Sequence, residues 1–258
     1  MKSQIICLWF VLALPLTVSA QKSPPVEPAQ FNGEFIYLRD YGSDDIAYLV
    51  VPQEQPKAGI VIVPDGHGVD AWTKITADAI AEKGYLVLAL DLYNGGTTND
   101  YREAAFKEGE LVEKAVLTAL KTTTVFYQQS PRFKMDKVFI VGIGSMSPYL
   151  ITLATQKNLA VSGLVLINPA RIPTAAGLDQ VRYPMLFQLG GKSTAAVNTL
   201  TQFIRESRVP DLVEVKTAAR LSPGVRRLDD AQWQQIAGFV RKNSTAERRK
   251  SLLERILD

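Results

Sequence analysis

The segment Asp65-Gly66-His67-Gly68 contains the residue types of this sequence that are best suited to acid–base chemistry. A neighbouring carboxylate can orient a histidine ring and stabilise its charged form, which makes the ring an effective general base. His67 is the only histidine among the 258 residues. Any reaction that needs a histidine base must therefore use His67, and the alternative is a structural histidine that bonds its own loop.

A second segment, VFIVGIGSMSPYLITLA at residues 138–154, has the pattern of a buried strand, a glycine turn and a helix. In one large class of enzymes the nucleophile stands on such a turn, with a small residue two positions away on each side. If Gly142 is the first small residue, Gly144 occupies the nucleophile position and Met146 the second flank. A glycine has no side chain with which to attack a substrate.

A frame shifted by one residue makes Ser145 the candidate nucleophile, and Ser147 is a further hydroxyl on the same turn. A serine hydroxyl is a weak nucleophile unless a base lies next to it. His67 is the one histidine that can serve, with Asp65 or Asp70 as the acid that orients it. These residues are the candidates for relocated chemistry, and none of them forms a known motif.

The residue counts exclude several kinds of site. Cys7 is the only cysteine and lies in the N-terminal apolar segment, so no disulfide or catalytic thiolate is expected in the remaining chain. A single histidine excludes a multi-histidine zinc site. The pattern Gly142-x-Gly144-x-x-Ser147 lacks the acidic residue that a dinucleotide site requires about 20 positions later. We therefore expect no metal and no cofactor, and a net charge of +3 does not indicate nucleic-acid binding.

Short apolar runs alternate with amphipathic stretches between residues 34 and 242. Strands are predicted at EFIYL, IAYLVV, GIVIVP, YLVLAL, KVFIVG, GLVLIN, MLFQLG and LVEVK. Continuous apolar strands separated by helices are typical of a parallel sheet that is covered on both faces. The first two strands have no predicted helix between them, which indicates an antiparallel edge.

The stretch between residues 101 and 129 is predicted to be one long helix. Its carboxylates are interpreted as a solvated helix face, and none is assigned a catalytic role; they are Glu103, Glu108, Glu110 and Glu113. Asp91 ends a predicted strand and is interpreted as a turn residue.

Residues 59–95 resemble the dienelactone hydrolase family of the α/β-hydrolase superfamily. The landmarks are Asp65, Gly68, Gly84-Tyr85 and Asp91-Leu92-Tyr93, placed between two strands and a helix. Weaker similarity extends over most of residues 34–242. The resemblance implies an α/β-hydrolase fold, a mostly parallel sheet of about eight strands with helices on both faces.

The same resemblance implies that the catalytic positions of the family are degenerate in this chain. Gly144 stands at the nucleophile position, and Ser193 stands where the triad acid is expected. The triad histidine is expected near residues 219–222, yet no histidine follows His67. Gly95 stands where family enzymes carry an arginine for the substrate carboxylate.

In this fold the loop after the third strand faces the elbow and supplies one N–H of the oxyanion hole. The resemblance therefore implies an oxyanion or pocket region formed by Gly66 and Gly68 on the loop and by Gly144 and Ser145 on the turn.

Residues 1–20 predict an export signal. Lys2 precedes an apolar run, and Val18-Ser19-Ala20 is a small-residue cleavage pattern. Residues 21–33 are rich in proline and polar residues and predict a flexible leader. The expected location is the periplasm or the extracellular medium, and the alternative is a protein anchored by an uncleaved N-terminal segment.

Residues 243–258 predict a C-terminal helix beyond the main domain. Ser244 and Glu247 have the spacing of a capping box. An apolar stripe follows on one face, formed by Leu252, Leu253, Ile256 and Leu257. The stripe either packs on the chain's own domain or docks a partner or a second copy.

Three functional hypotheses remain. The first is a non-catalytic binder of a small molecule or protein that keeps the hydrolase fold and a vestigial pocket. The second is an esterase- or lactonase-type hydrolase with rearranged chemistry that uses Ser145 or Ser147 with His67. The third is an interaction module that assembles through the C-terminal helix. The missing second histidine favours the first and third hypotheses.

Overall fold

The computed structural model describes residues 30–190, 193–218 and 228–245. The predicted signal peptide, most of the predicted leader and nearly all of the predicted C-terminal helix lie outside these residues. None of the described helices has the length and apolar character that crossing a bilayer requires.

The described residues contain one eight-stranded sheet with the order β1-β2-β4-β3-β5-β6-β7-β8. The strands are β1 (Glu34–Tyr37), β2 (Ile46–Val50), β3 (Gly59–Val63), β4 (Leu86–Asp91), β5 (Val138–Ile143), β6 (Gly163–Ile167), β7 (Met185–Gly190) and β8 (Val213–Ala218). Strand β2 pairs antiparallel with both β1 and β4, and all pairs from β4 to β8 are parallel. The predicted mostly parallel sheet with an antiparallel edge is confirmed.

Seven helices accompany this sheet in the described residues. They are α1 (Ala71–Glu82), α2 (Tyr101–Gly109), α3 (Glu113–Gln129), α4 (Ser147–Ala154), α5 (Ala175–Leu178), α6 (Thr194–Glu206) and α7 (Asp230–Asn243). Helix α7 begins with a capping box, in which the Asp229 side chain accepts from the Gln232 N–H and the Gln232 side chain accepts from the Asp229 N–H.

Alternate residues of the central strands face opposite sides, so the sheet has a core on each face. On one side Val61 and Ile140 share a buried cluster with α3 and α4. On the other side Ile60 and Phe139 share a buried cluster with α1 and α7. The helices therefore cover both faces, which is the arrangement that continuous apolar strands require.

The predicted long helix between residues 101 and 129 is wrong, because the structure divides it into α2 and α3. Asp100 caps α2 by accepting from two backbone N–H groups, and the helix ends at Gly109. Val112 is extended, with a ψ of 119°, and α3 starts at the next residue. Helix α2 lies against the loop that follows β3, where its Glu108 side chain accepts from the Gly66 N–H.

Candidate functional site

The turn between β5 and α4 has the geometry of a nucleophile elbow with glycine at its tip. Gly144 has a φ of 55°, a left-handed conformation that costs residues other than glycine about 1–2 kcal/mol. A Cβ atom on Gly142 would lie 2.8 Å from Leu150 Cδ2, so strand and helix approach closely there. These two features support the frame in which Gly144, and not Ser145, occupies the nucleophile position.

The space beside Gly144 is open. No heavy atom of the described chain lies within 4 Å of the position that a Cβ atom would occupy, apart from the neighbouring residues in sequence. Met146, on the second flank, is fully buried among the core residues of the α3 and α4 side. The Met146 side chain therefore packs in the core and does not fill the space above the turn.

Ser147 stabilises the elbow from inside the protein. Its side chain is fully buried, and its Oγ donates to the Gly144 carbonyl oxygen at 2.8 Å. The same Oγ accepts from the Ala170 N–H at 3.0 Å, which ties the turn to the segment after β6. Both hydrogen bonds of this hydroxyl are with backbone groups, so its position does not favour the predicted nucleophilic role.

The Ser145 side chain differs from that of Ser147 in its hydrogen bonding. Its Oγ is buried and has no hydrogen-bond partner in the described part of the chain. A buried hydroxyl without a partner carries a free-energy cost, so such atoms often mark a place for a ligand or for chemistry. The structure does not join this hydroxyl to His67 by a hydrogen bond, and the predicted serine–histidine pair is not assembled.

The structure does bring Asp65 and His67 together. Asp65 Oδ1 lies 2.9 Å from His67 Nδ1 and also accepts from the His67 N–H at 3.2 Å. The histidine is 4% exposed, and its ring forms a T-shaped contact with the Tyr101 ring at a centroid distance of 5.0 Å. The imidazole is thus held between its own loop and the start of α2, which is a geometry that a structural histidine also has.

Asp70, the alternative acid for orienting His67, caps the N-terminus of α1. Its Oδ1 accepts from the Thr73 N–H at 3.0 Å, which is the standard contact of a helix N-cap. The structure therefore supports Asp65 as the acid that orients His67.

Every N–H of the predicted oxyanion loop is already bonded within the protein. The Gly66 N–H donates to Glu108 Oε1 at 2.7 Å, and the Gly68 N–H donates to the Asp65 carbonyl oxygen at 3.0 Å. The N–H between them, that of His67, donates to the Asp65 side chain. An oxyanion hole needs donors aimed at the substrate oxygen, and this loop presents none in its present conformation.

Glu108 is the residue that the sequence interpretation placed wrongly. It was assigned to a solvated helix face, but it is half-buried and holds the Gly66 N–H. Helix α2 comes so close that a Cβ atom on Gly66 would lie 2.0 Å from the Ala104 carbonyl oxygen. No local pattern reveals this contact, because it joins residues 42 positions apart.

Two further polar groups at this edge of the sheet were missed. Tyr93 Oη and Lys107 Nζ are buried and have no hydrogen-bond partner among the described residues. The ammonium lies 5.7 Å from the centre of the Tyr93 ring. Burial, followed by the nearby Glu108 and Asp65, raises the pKa of Tyr93, so its phenol remains protonated at neutral pH. The Asp-Leu-Tyr landmark was the available signal for Tyr93.

Asp91 closes the turn after β4, as the sequence interpretation proposed. Its carboxylate accepts from the Tyr93 N–H at 2.9 Å and from the Gly95 N–H. The remaining family positions are described only in part. The backbone N–H of Ser193, at the triad-acid position, donates to the Gly190 carbonyl oxygen. The expected position of the triad histidine lies outside the described residues.

Comparison with solved structures gives the same fold. A Klebsiella pneumoniae structure assigned as a dienelactone hydrolase matches with a TM-score of 0.66 at 15% identity, covering 83% of this chain and all of that one (100%). A dienelactone hydrolase-like promiscuous phosphotriesterase from metagenomic libraries matches with a TM-score of 0.58 at 16% identity, covering 84% and 98%. A dienelactone hydrolase from Anabaena variabilis matches with a TM-score of 0.58 at 14% identity, covering 83% and 97%.

Identities this low establish the fold and nothing finer. No match was found among curated proteins. The sequence model of the dienelactone hydrolase family, in contrast, matches residues 46–215, a span that contains the loop after β3, the elbow and the strands from β2 to β7. With this match and the α/β-hydrolase architecture described above, the chain belongs to the dienelactone hydrolase family.

Proposed function

We propose that this protein is an exported member of the family that has lost the family's catalytic groups and acts as a non-catalytic binder of a small molecule or protein. The observation that carries the proposal is the left-handed glycine, Gly144, at the tip of the elbow. The backbone there keeps the shape that presents a nucleophile, while the residue supplies no attacking atom. A hydrolase of the usual serine or cysteine type needs that atom and a base beside it.

The loop opposite the elbow supports the same proposal. Its N–H groups are used by Glu108 and Asp65, so a tetrahedral intermediate would find no free donor on this side. The only histidine of the chain is held by Asp65 and packed against Tyr101. The nucleophile position thus lacks an attacking atom, the loop after β3 offers no free oxyanion donor, and no hydrogen bond joins His67 to a serine of the turn.

Binding is supported by unsatisfied polar groups at the same edge of the sheet. Tyr93 and Lys107 follow β4, and Ser145 follows β5, and each has a buried donor atom without a partner among the described residues. Strands β4 and β5 flank β3, so their ends are roughly 10 Å apart at the usual strand spacing. A small molecule lying across the end of β3, beside the open space at Gly144, would supply the missing acceptors.

We expect the purified protein to show no labelling by a fluorophosphonate probe, which reacts only with activated serines. Labelling is read by intact-mass spectrometry, beside a serine hydrolase that labels fully. Stoichiometric labelling at Ser145 that disappears in His67→Ala would replace this proposal by the second candidate, a rearranged hydrolase. The unpartnered Ser145 hydroxyl and the Asp65–His67 pair are the observations that favour that candidate.

The Gly144→Ser variant provides the matched control for this experiment. It restores a hydroxyl at the nucleophile position, where the space is open, at a cost of about 1–2 kcal/mol for a left-handed serine. We expect a folded protein that also remains unlabelled, since no histidine is positioned as its base. Labelling of this variant would show that a competent base is present and that only the nucleophile was lost.

Export is tested separately from catalysis. We expect the protein recovered outside the cytoplasm to begin at Gln21, because Val18-Ser19-Ala20 is a cleavage pattern for the preceding apolar segment. N-terminal sequencing of the native protein measures this directly. A chain that retains Met1 and sediments with membranes would establish the anchored alternative.

A further inference from the structure

Helix α2 is weakly attached to the rest of the domain. Of its nine residues only Ala104 is buried, whereas six of the 12 residues of α1 are buried. Tyr101 and Phe106 remain 64% and 66% exposed although both are aromatic. Among the described residues that form or line the two core clusters, none comes from α2. An element with so few buried apolar contacts can open locally while the core stays folded.

Glycines lie at both ends of the segment that contains this helix, residues 97–109, which we call the α2 segment. Gly95 has a φ of 80° and is exposed, Gly96 follows it, and Gly109 ends the helix. Glycines at such positions are suitable hinges, because they absorb changes of φ and ψ at little cost. The Asp91 carboxylate accepts from the Gly95 N–H, so the fixed part of the chain ends there.

The loop after β3 holds the α2 segment at two points. At the first, the Thr98 N–H donates to the His67 carbonyl oxygen at 3.2 Å, and the Tyr101 ring contacts the His67 ring. At the second, Glu108 Oε1 accepts from the Gly66 N–H at 2.7 Å. This last hydrogen bond has a carboxylate as its acceptor, which makes it the strongest of these contacts. We call it the Glu108 latch.

The closed position of the α2 segment leaves two donors without partners. Lys107 Nζ and Tyr93 Oη are buried where the segment meets the chain after β4, and neither has a hydrogen-bond partner among the described residues. Burial of an unpaired polar group costs free energy, and water satisfies both groups once the segment moves away. This cost favours opening, and the Glu108 latch opposes it.

The latch lies close to the elbow. Burial raises the pKa of Tyr149, in the first turn of α4, and the charges of Glu113 and Glu108 raise it further. Burial first, and then the charge of Glu108, raises the pKa of Tyr93 after β4. The Glu108 carboxylate is therefore near both the helix that follows the elbow and the chain that follows β4.

We propose that the α2 segment is a lid over the ligand-binding edge of the sheet, held shut by the Glu108 latch. Opening frees the Gly66 N–H and exposes Tyr93 Oη and Lys107 Nζ, which are inaccessible in the closed position. Glu108 then acts as an internal substitute for the acceptor that a ligand brings. The opening follows from the contacts of the segment, whereas its role in ligand binding rests on the proposed function.

Hydrogen exchange read by mass spectrometry tests the lid in the purified protein without any ligand. We expect the amides of α2 to exchange at least about tenfold faster than those of α1 and α3. Glu108→Ala removes the latch and should raise exchange in α2 and in peptides that contain Gly66 about tenfold, the usual worth of a hydrogen bond to a charged group. Glu110→Ala makes the same change at an exposed residue just after α2 and should leave both rates unchanged.

Lysine acetylation gives a second measurement, at a side chain. Lys107 Nζ is buried, so N-hydroxysuccinimidyl acetate should modify it only in the open position, and Glu108→Ala should speed this reaction about tenfold. The exposed Lys114 should keep its rate. Equal exchange of α1, α2 and α3 in the wild-type protein would overturn the lid, as would equal effects of the two glutamate variants. Neither outcome depends on fluorophosphonate labelling, so the lid and the proposed function fail separately.

Discussion

Replacing Gly66 by alanine is expected to lower the free energy of unfolding by about 3 kcal/mol, at the upper end of what overpacking usually costs. The new Cβ atom would lie 2.0 Å from the Ala104 carbonyl oxygen, a backbone atom that cannot rotate away. Relief requires α2 to move off the loop, which also lengthens the hydrogen bond from the Gly66 N–H to Glu108. Urea denaturation followed by tryptophan fluorescence measures the change.

The control for this substitution is Gly109→Ala, at the last residue of the same helix. No heavy atom lies within 4 Å of the position of its Cβ, and its backbone is not left-handed. Alanine there reduces the entropy of the unfolded chain, so we expect a gain of about 0.5 kcal/mol. If the two variants have the same stability, the close contact between α2 and the loop does not exist in solution.

Replacing Leu150 by alanine is expected to lower the free energy of unfolding by about 3 kcal/mol, since a fully buried leucine loses its packing and leaves a cavity. The site matters because Leu150 is the α4 residue that meets the backbone of β5 at Gly142. Thermal and urea unfolding give the measurement. Leu117→Ala, at a half-buried leucine of α3, should cost less than half as much.

A double-mutant cycle tests the contact itself. Gly142→Ala in the wild-type protein places a Cβ atom 2.8 Å from Leu150 Cδ2 and should be destabilising by about 1 kcal/mol. In the Leu150→Ala background the same methyl group enters the cavity, so its cost should vanish or become a gain. Additive effects would mean that strand and helix do not meet at this point.

The positions of the strands in the chain and the burial of the central strands on both faces follow closely from sequence patterns. Runs such as GIVIV and LVLALD are apolar without alternation, and only a strand covered on both faces tolerates that composition. The prediction of one long helix was wrong for a different reason. Helical spacing continues on both sides of the break, and the one local signal was Gly109, a residue type that is common where helices end.

The elbow also shows what the sequence leaves open and what the tertiary structure decides. From the letters GIGSMS, both Gly144 and Ser145 are candidates for the nucleophile position. The folded structure distinguishes them, because the left-handed residue is Gly144 and because Leu150 packs closely on Gly142. The separate roles of the two serines also depend on packing: Ser147 bonds the backbone on both sides of the turn, and Ser145 bonds nothing in the described residues.

The sequence by itself determined the family, the sheet with its antiparallel edge, and the absence of a second histidine, because composition and periodicity are properties of the chain. Only the tertiary structure decided that Glu108 occupies the Gly66 N–H and that the buried Ser145 hydroxyl has no partner in the described residues. Both facts depend on groups that are far apart in sequence, and whether a polar atom is satisfied is decided only when folding brings its neighbours together and removes water.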